Sequence, residues 1–432
     1  MMLRALYRGV VYLLVPIACA VLAFRGLRDR SYWRNFGERF GFGTRIGAPS
    51  IWVHAVSVGE VQAAAALLQA LRERHPDIPL TLTTVTPTGA ARARALFGET
   101  IDVRFLPYDT TGSVRRFFDR VQPLLAIIIE KELWPNLYHE CGERAVPLVL
   151  ASAAVSPRSL GRYRRLARLF ADTLSNGIVI AAQTEVDAAR FRAIGANPRR
   201  THVVGNLKFD LALAPDLRAA GETLRQRYGL GARLVLVAGS TYEAEEIALL
   251  EVQARLQAEN IDLVLVLAPR HPPRFESVAA RLKSVGRVTA RRSSAEGASR
   301  PIDVLLLDTL GELMQAYAAA DLAFVGGSLV TGVGGHNLIE PAALAVPTLT
   351  GPHGFNAVDI ANALLEERAL TMVGDVDELQ REVRRLALDP RERHRRGELG
   401  QRFVERNRGT LERLLKLLEP IIADARSRSA SR

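Results

Sequence analysis

From Ile51 onward, short apolar runs alternate with longer amphipathic stretches. The runs IWVHAV (51–56), LTLTTV (80–85), IDVRFLP (101–107), LLAIIIE (124–130), VPLVLAS (146–152) and GIVIAAQ (177–183) are short and mostly apolar, which predicts strands. Between them, VQAAAALLQALRERH (61–75), AARARALF (90–97), SVRRFFDRV (113–121) and DAARFRAIG (187–195) have the pattern of helices. Alternation of this kind predicts an α/β fold with a parallel sheet and helices on both faces.

The same plan then repeats. ARLVLVAGS (232–240), DLVLVLAP (262–269), GRVTAR (286–291), DVLLLD (303–308), LAFVGGS (322–328) and VPTLTG (346–351) read as a second set of strands. AEEIALLEVQARLQAEN and RFESVAARLKSV read as helices between them, SSAEGASRP (293–301) as a polar surface loop, and the tail from Arg391 as helical and charged. The expected organisation is an N-terminal segment 1–30, a first Rossmann-like domain 31–205, a connection 206–221 and a second Rossmann-like domain 222–432 that includes the C-terminal helix. Two facing domains of this kind bind ligands at the carboxyl ends of their strands, in the crevice between them.

The segment 1–30 departs from this plan. Gly9 to Phe24 is uncharged and mostly apolar, with Arg4 and Arg8 before it and Arg25, Arg28 and Arg30 after it. It is short for a full span, which takes about 20 residues. Arginines rather than a small-residue cleavage site follow it, which argues against a removed signal. A core helix is the other alternative. An N-terminal membrane anchor is expected, with the body on the side of the extra arginines, the cytoplasm.

Composition narrows the partners. The chain has 432 residues, 48% hydrophobic and 24% charged, and a net charge of +11. That excess of arginine favours anionic partners. No zinc-finger, RNA-recognition or helix-turn-helix pattern is present, so nucleic acid is the weaker choice. The two cysteines, Cys19 and Cys141, supply neither a disulfide framework nor a metal cluster.

The candidate chemistry gathers at predicted strand ends. In GGSLVTGVGGHNLIEPAALAVPTLTGPHGFN (326–356) a strand runs into a glycine loop that opens a helix, an arrangement suited to phosphate or nucleotide. Glu60 in VSVGEVQAA is a carboxylate able to take a proton from a hydroxyl, although Ser57-x-x-Glu60 is also a capping-box spacing. Glu130 ends an apolar strand and is either solvated or a cleft carboxylate. Lys208 in GNLKFD is either surface or a cation for a leaving phosphate. Arg270 in APRHPPRF can grip a phosphate with two hydrogen bonds. Ser240 or Thr241 in AGSTYEAEE is expected to cap a helix. Arginines 158, 162, 164, 165 and 168 form either a solvated face or a grip on anionic headgroups. No Walker-type lysine loop, Asp-x-Asp motif or His/Cys metal spacing occurs.

Taken in order, SVGE, E-x-E-L-W-P-N, GNLK-x-D, AGST-x-E-x-E-E, PRHP-x-RF, GGSLV…GGHN-x-x-EPAA and GPH-x-FN-x-x-D resemble the bacterial 3-deoxy-D-manno-oct-2-ulosonic acid (Kdo) transferases from about Tyr32 to the C-terminus. The resemblance implies a two-domain GT-B glycosyltransferase. It would move Kdo from CMP-Kdo to the tetra-acylated lipid A precursor at the cytoplasmic face of the inner membrane, with inversion and without a metal or other cofactor. It implies Glu60 as general base, and Glu130 and Lys208 in transition-state stabilisation. It implies CMP contacts at Pro269, Arg270, Leu310, Gly311, Glu312, Asn337, Leu338, Ile339 and Glu340. Two departures stand out. Lys131 occupies a position that is usually Thr, and Thr331-Gly332-Val333 replaces a usual Pro-Arg. A nucleotide-sugar epimerase on the same plan and a non-catalytic membrane-associated relative are the competing readings.

Overall fold

The computed structural model describes residues 2–130, 132–155, 160–161, 169, 174, 177–211, 213–294, 301–354 and 358–430. Lys131, the arginines at 158, 162, 164, 165 and 168, and most of the polar loop 293–301 lie outside the described residues, as do Phe355 and Asn356 of the last motif. The chain forms two compact units, Met1–Leu211 with Asn407–Arg432, and Ala212–Arg406.

The first unit holds β1 (Ser50–His54), β2 (Leu80–Thr84), β3 (Asp102–Phe105), β4 (Pro123–Ile129), β5 (Leu148–Ala153), β6 (Val179–Ala182) and β7 (Thr201–Val203). They form one sheet in the order β3-β2-β1-β4-β5-β6-β7, and every pairing is parallel. Both faces are buried, which explains the unbroken apolar runs. Ile51, Val53, Ile127 and Ile129 pack to one side with Leu67, Leu68 and Leu71 of the helix Val58–Arg74. Trp52, Ala126 and Ile128 pack to the other, where Phe117, Phe118 and Tyr138 cover them. β7 is absent from the expected elements, because only Thr201 of its three residues is buried and no apolar run marks it.

The second unit repeats the arrangement with β8 (Leu234–Thr241), β9 (Leu263–Pro269), β10 (Thr289–Arg291), β11 (Val304–Leu306), β12 (Leu322–Val325), β13 (Thr348–Thr350) and β14 (Leu370–Met372). The order is β10-β11-β9-β8-β12-β13-β14, again with all pairs parallel. Leu263, Leu265 and Leu267 enter one layer of core, and Val264 and Val266 the other. β14 is a second short edge strand that the sequence pattern does not show.

The expected second domain, 222–432, needs correcting at its end. The helix Thr410–Ala430 returns to the first unit. Leu414, Leu415, Leu418 and Ile422 are buried there in the layer that holds Ile51 and Ile127. Asp210, the last residue of GNLKFD, fixes the return. Its carboxylate accepts from the Gly409 N–H at 2.6 Å and from the Leu411 N–H at 2.5 Å. The expected connection 206–221 also contains structure: a turn at Leu207–Phe209 and the start of the helix Leu217–Arg227.

Candidate active site

In the first unit, β1 leads into the helix Val58–Arg74, with Glu60 in its first turn. Ser57 stands at the N-cap but its side chain makes no capping bond. Glu60 reaches past it, and its Oε2 accepts from the Val56 N–H at 2.5 Å. The spacing suggests a capping box, but neither of its two bonds is made: Ser57 does not cap, and Glu60 meets the amide before the N-cap. Glu130 follows β4 directly, with a left-handed φ of 65°, uncommon outside glycine. Its Oε1 lies 2.6 Å from Nζ of Lys208.

Lys208 stands on a turn that a chain of amides holds in place. Asn206 Oδ1 accepts from the Lys208 N–H at 3.0 Å, and Asn206 Nδ2 donates to Gln183 Oε1 at 3.0 Å. Gln183 Nε2 donates to the Ser152 carbonyl at 2.9 Å, and Ser152 Oγ accepts from the Leu207 N–H at 3.2 Å. Gln183 and Ser152 belong to predicted strand ends, but their role depends on partners distant in sequence.

Glu60, Glu130 and Lys208 share one electrostatic environment. Burial first, then the charge of Glu130, push the Glu60 carboxyl up to about 8. Glu132 adds to the rise, while the Val56 N–H and Lys208 oppose it. A carboxylate titrating near neutrality is suited to accept a proton at physiological pH.

In the second unit, β9 ends at Pro269 and Arg270 follows, its N–H donating to the Thr241 carbonyl at 3.0 Å. Leu310 is exposed, and Gly311 takes a φ of 88° that suits its lack of a side chain. Glu312 is engaged by Arg292 Nη2 at 2.6 Å and by the Thr309 hydroxyl. Asn337 Oδ1 accepts from the Ile339 N–H and its Nδ2 donates to Glu340 Oε1, both at 3.1 Å. Leu338 and Ile339 turn into the core, so Asn337 and Glu340 are the polar side chains of this segment.

The glycine loop differs from expectation. The amides of Gly327, Ser328 and Leu329 are already engaged by the carboxylate of Glu245, at 2.8, 2.9 and 3.0 Å. Glu245 is fully buried and also accepts from the Tyr242 N–H at 3.0 Å. Tyr242, not Ser240 or Thr241, is the N-cap of the following helix, Glu243–Ala258. The helix that follows the loop, Ile339–Ala343, is one short turn. The E-x-E-E pattern contained this signal, but only the fold shows which amides Glu245 meets.

His336 is a further polar group beside the candidate nucleotide segment. Its ring stacks on Tyr242 at 6.0 Å, and Tyr242 meets His271 edge-on at 5.4 Å. Burial first, then the nearby Arg270 and His271, hold His336 down at about 4, so it is neutral at pH 7.

In each unit the expected residues therefore lie at the carboxyl ends of parallel strands or in the turns after them, where doubly wound folds bind ligands. Relatives match along almost the whole chain. A 3-deoxy-D-manno-octulosonic acid transferase from Haemophilus influenzae is 37% identical over 425 residues, covering 98% of this chain and 99% of the relative. One from Bordetella pertussis is also 37% identical, over 430 residues, covering 96% and 99%. The chain belongs to the 3-deoxy-D-manno-octulosonic acid transferase family. Residues 34–211 match the model described as 3-Deoxy-D-manno-octulosonic-acid transferase (kdotransferase). The fold is GT-B: the structure of Anabaena Alr3699/HepE in complex with UDP superposes with a TM-score of 0.57 at 16% identity, covering 87% of this chain and 100% of that one. Family members are glycosyltransferases, and this chain is a Kdo transferase by that membership.

Proposed function

We propose that the chain transfers Kdo from CMP-Kdo to a hydroxyl of the lipid A precursor, with inversion and without a metal, at the cytoplasmic face of the inner membrane. The observation that carries the mechanism is Glu60, a carboxyl pushed up to about 8 at the end of β1 beside Glu130 and Lys208. Glu60 takes the proton of the acceptor hydroxyl as its oxygen attacks the anomeric carbon of the donor. The bond from that carbon to the CMP phosphate breaks, and its electron pair leaves on the phosphate. Attack from the face opposite the phosphate inverts the centre. Glu130 and Lys208 hold each other in place and tune Glu60.

The second unit binds the donor. Arg270 meets the phosphate, and Glu340, oriented by Asn337, accepts from the ribose hydroxyls. Pro269, Leu310, Gly311, Glu312, Leu338 and Ile339 shape the nucleotide contacts, mostly through backbone. The filled amides of Gly327, Ser328 and Leu329 make Arg270 the principal charge for the leaving group. A net charge of +11 suits a phosphorylated acceptor and an anionic membrane surface, and the apolar helix Met2–Arg28 supplies the anchor.

The test is mass spectrometry of products from purified protein, CMP-Kdo and lipid A precursor, with EDTA present throughout. The expected product is the precursor enlarged by Kdo. Glu60→Gln is expected to lower kcat by about 10²–10⁴-fold, the usual range for losing a general base, with circular dichroism unchanged. CMP release without lipid acceptor, or full activity in Glu60→Gln, would overturn the reading.

A further inference from the structure

The N-terminal helix Met2–Arg28 shows two different long faces. Tyr7, Val11, Val15, Cys19, Leu22 and Gly26 recur every three to four residues, and all are partly or fully covered. That side of the helix is fixed to the first unit near its N-terminal end and again at Cys19. The Tyr7 hydroxyl donates to Asp109 Oδ2 at 2.7 Å, and Arg8 Nε donates to Asn136 Oδ1 at 3.2 Å. Asp109 is buried and also accepts from the N–H groups of Asn136 and Leu137, at 3.0 and 2.8 Å. Further along, Cys19 Sγ lies 3.9 Å from the Tyr108 hydroxyl. At the far end Trp33 closes over the helix. Its Nε1 donates to the Ala23 carbonyl at 3.2 Å, and a Cβ on Gly26 would fall 1.8 Å from that nitrogen.

The opposite face is apolar and open. Leu6, Val10, Leu13, Ile17, Phe24 and Leu27 are between 45% and 75% exposed. Within Leu3–Arg28 an 18-residue stretch reaches a mean hydropathy of 2.2, enough by composition to cross a membrane. A crossing helix, however, puts its ends on opposite sides and meets lipid around its waist. This helix instead has its N-terminal end, at Tyr7 and Arg8, and its later turn at Cys19 against the same folded unit.

We infer that the helix lies in the membrane plane, with its open stripe sunk into one leaflet of an anionic phospholipid bilayer. Its 27 residues give a ridge about 40 Å long at 1.5 Å per residue. No acidic residue occurs before Asp29, and Arg25, Arg28, Arg30 and Arg34 cluster at one end, where anionic headgroups favour them.

The seat of the helix has a consequence for the site. Tyr108 and Asp109 follow β3, and Asn136 opens the helix after β4. Both loops belong to the carboxyl edge of the sheet, which also carries Glu60 and Glu130. The leaflet thus meets the edge that holds the base, so a lipid acceptor keeps its acyl chains in the membrane while its headgroup is processed. This last step rests on the lipid-acceptor reading above; the in-plane geometry does not.

The test uses the full chain with an epitope tag at either terminus, in inverted inner-membrane vesicles treated with protease. Both tags are expected to be digested, with the protein in the membrane fraction. Protection of the N-terminal tag alone means a crossing helix and overturns the inference. Recovery in the soluble fraction also overturns it, because the stripe is then covered by something other than lipid. Protection of both tags keeps the in-plane geometry and instead overturns the cytoplasmic side proposed above. Transfer activity is a separate readout, so failure of the topology leaves the assigned reaction standing.

Discussion

Glu60 titrates near 8 instead of at its ordinary 4.5 because burial and the neighbouring Glu130 both disfavour its charge. Two predictions follow from the sign of that shift. The first concerns rate. As a base, Glu60 must be ionised, so kcat/KM is expected to rise with pH through about 8. Glu130→Gln removes a raising charge and should move the rising limb to lower pH. Lys208→Met removes a lowering charge and should move it to higher pH. A limb that stays put in both variants would show that another group titrates. The second concerns stability. The folded protein keeps a proton on Glu60 that the unfolded chain has already lost between pH 4.5 and 8. Wild type should therefore lose stability relative to Glu60→Gln as pH rises through that window, by at most about 1.4 kcal/mol per pH unit. Urea unfolding at several pH values measures the difference, which should be constant below the window.

At the scale of elements, a helix is defined by what each face touches. The apolar run Gly9 to Phe24 of the N-terminal helix reads in sequence as an anchor with the body on the cytoplasmic side, with no sign of what each face touches. Docking divides it into a seated stripe and an open one. Leu13→Glu with Ile17→Glu changes only the open stripe. The double variant is expected to move the protein from the membrane to the soluble fraction while leaving its melting temperature within about 2 °C, the behaviour of exposed positions outside the core. A melting temperature that falls sharply would mean the stripe packs against protein. The glycine loop teaches a related lesson. Its five glycines within residues 326–335 suggest open amides, yet Glu245 engages three amides of the loop from a helix more than eighty residues earlier. Sequence periodicity reports the loop and the helix but not their meeting.

At the scale of the molecule, the last helix joins the first unit to a chain segment nearly two hundred residues away from its own anchor, Asp210. Leu415 is fully buried in the first sheet's core. Leu415→Ala should cost about 2–5 kcal/mol, the range for such a cavity. Because Asp210 and Lys208 share one turn, the same variant should also lower transfer. Chemical unfolding together with the mass-spectrometric assay checks both effects. Unchanged stability would show that the tail is dispensable to the first unit. Of the two departures from the family pattern, Thr331-Gly332-Val333 lies beyond the amides that Glu245 engages, and Lys131 is outside the described residues.

The sequence by itself determined the two parallel α/β repeats, because buried strands and amphipathic helices leave local periods that need no partner to be seen. It also determined the family, through motifs placed in order at strand ends. It missed β7 and β14, which have one buried residue of three and no apolar run to mark them, and which become strands by pairing with β6 and β13. Tertiary structure alone decided the elevated pKa of Glu60, the filling of the glycine loop by Glu245, the return of the tail and the two faces of the first helix. Each depends on desolvation or on a hydrogen bond between groups far apart in the chain, and neither has a local period to read.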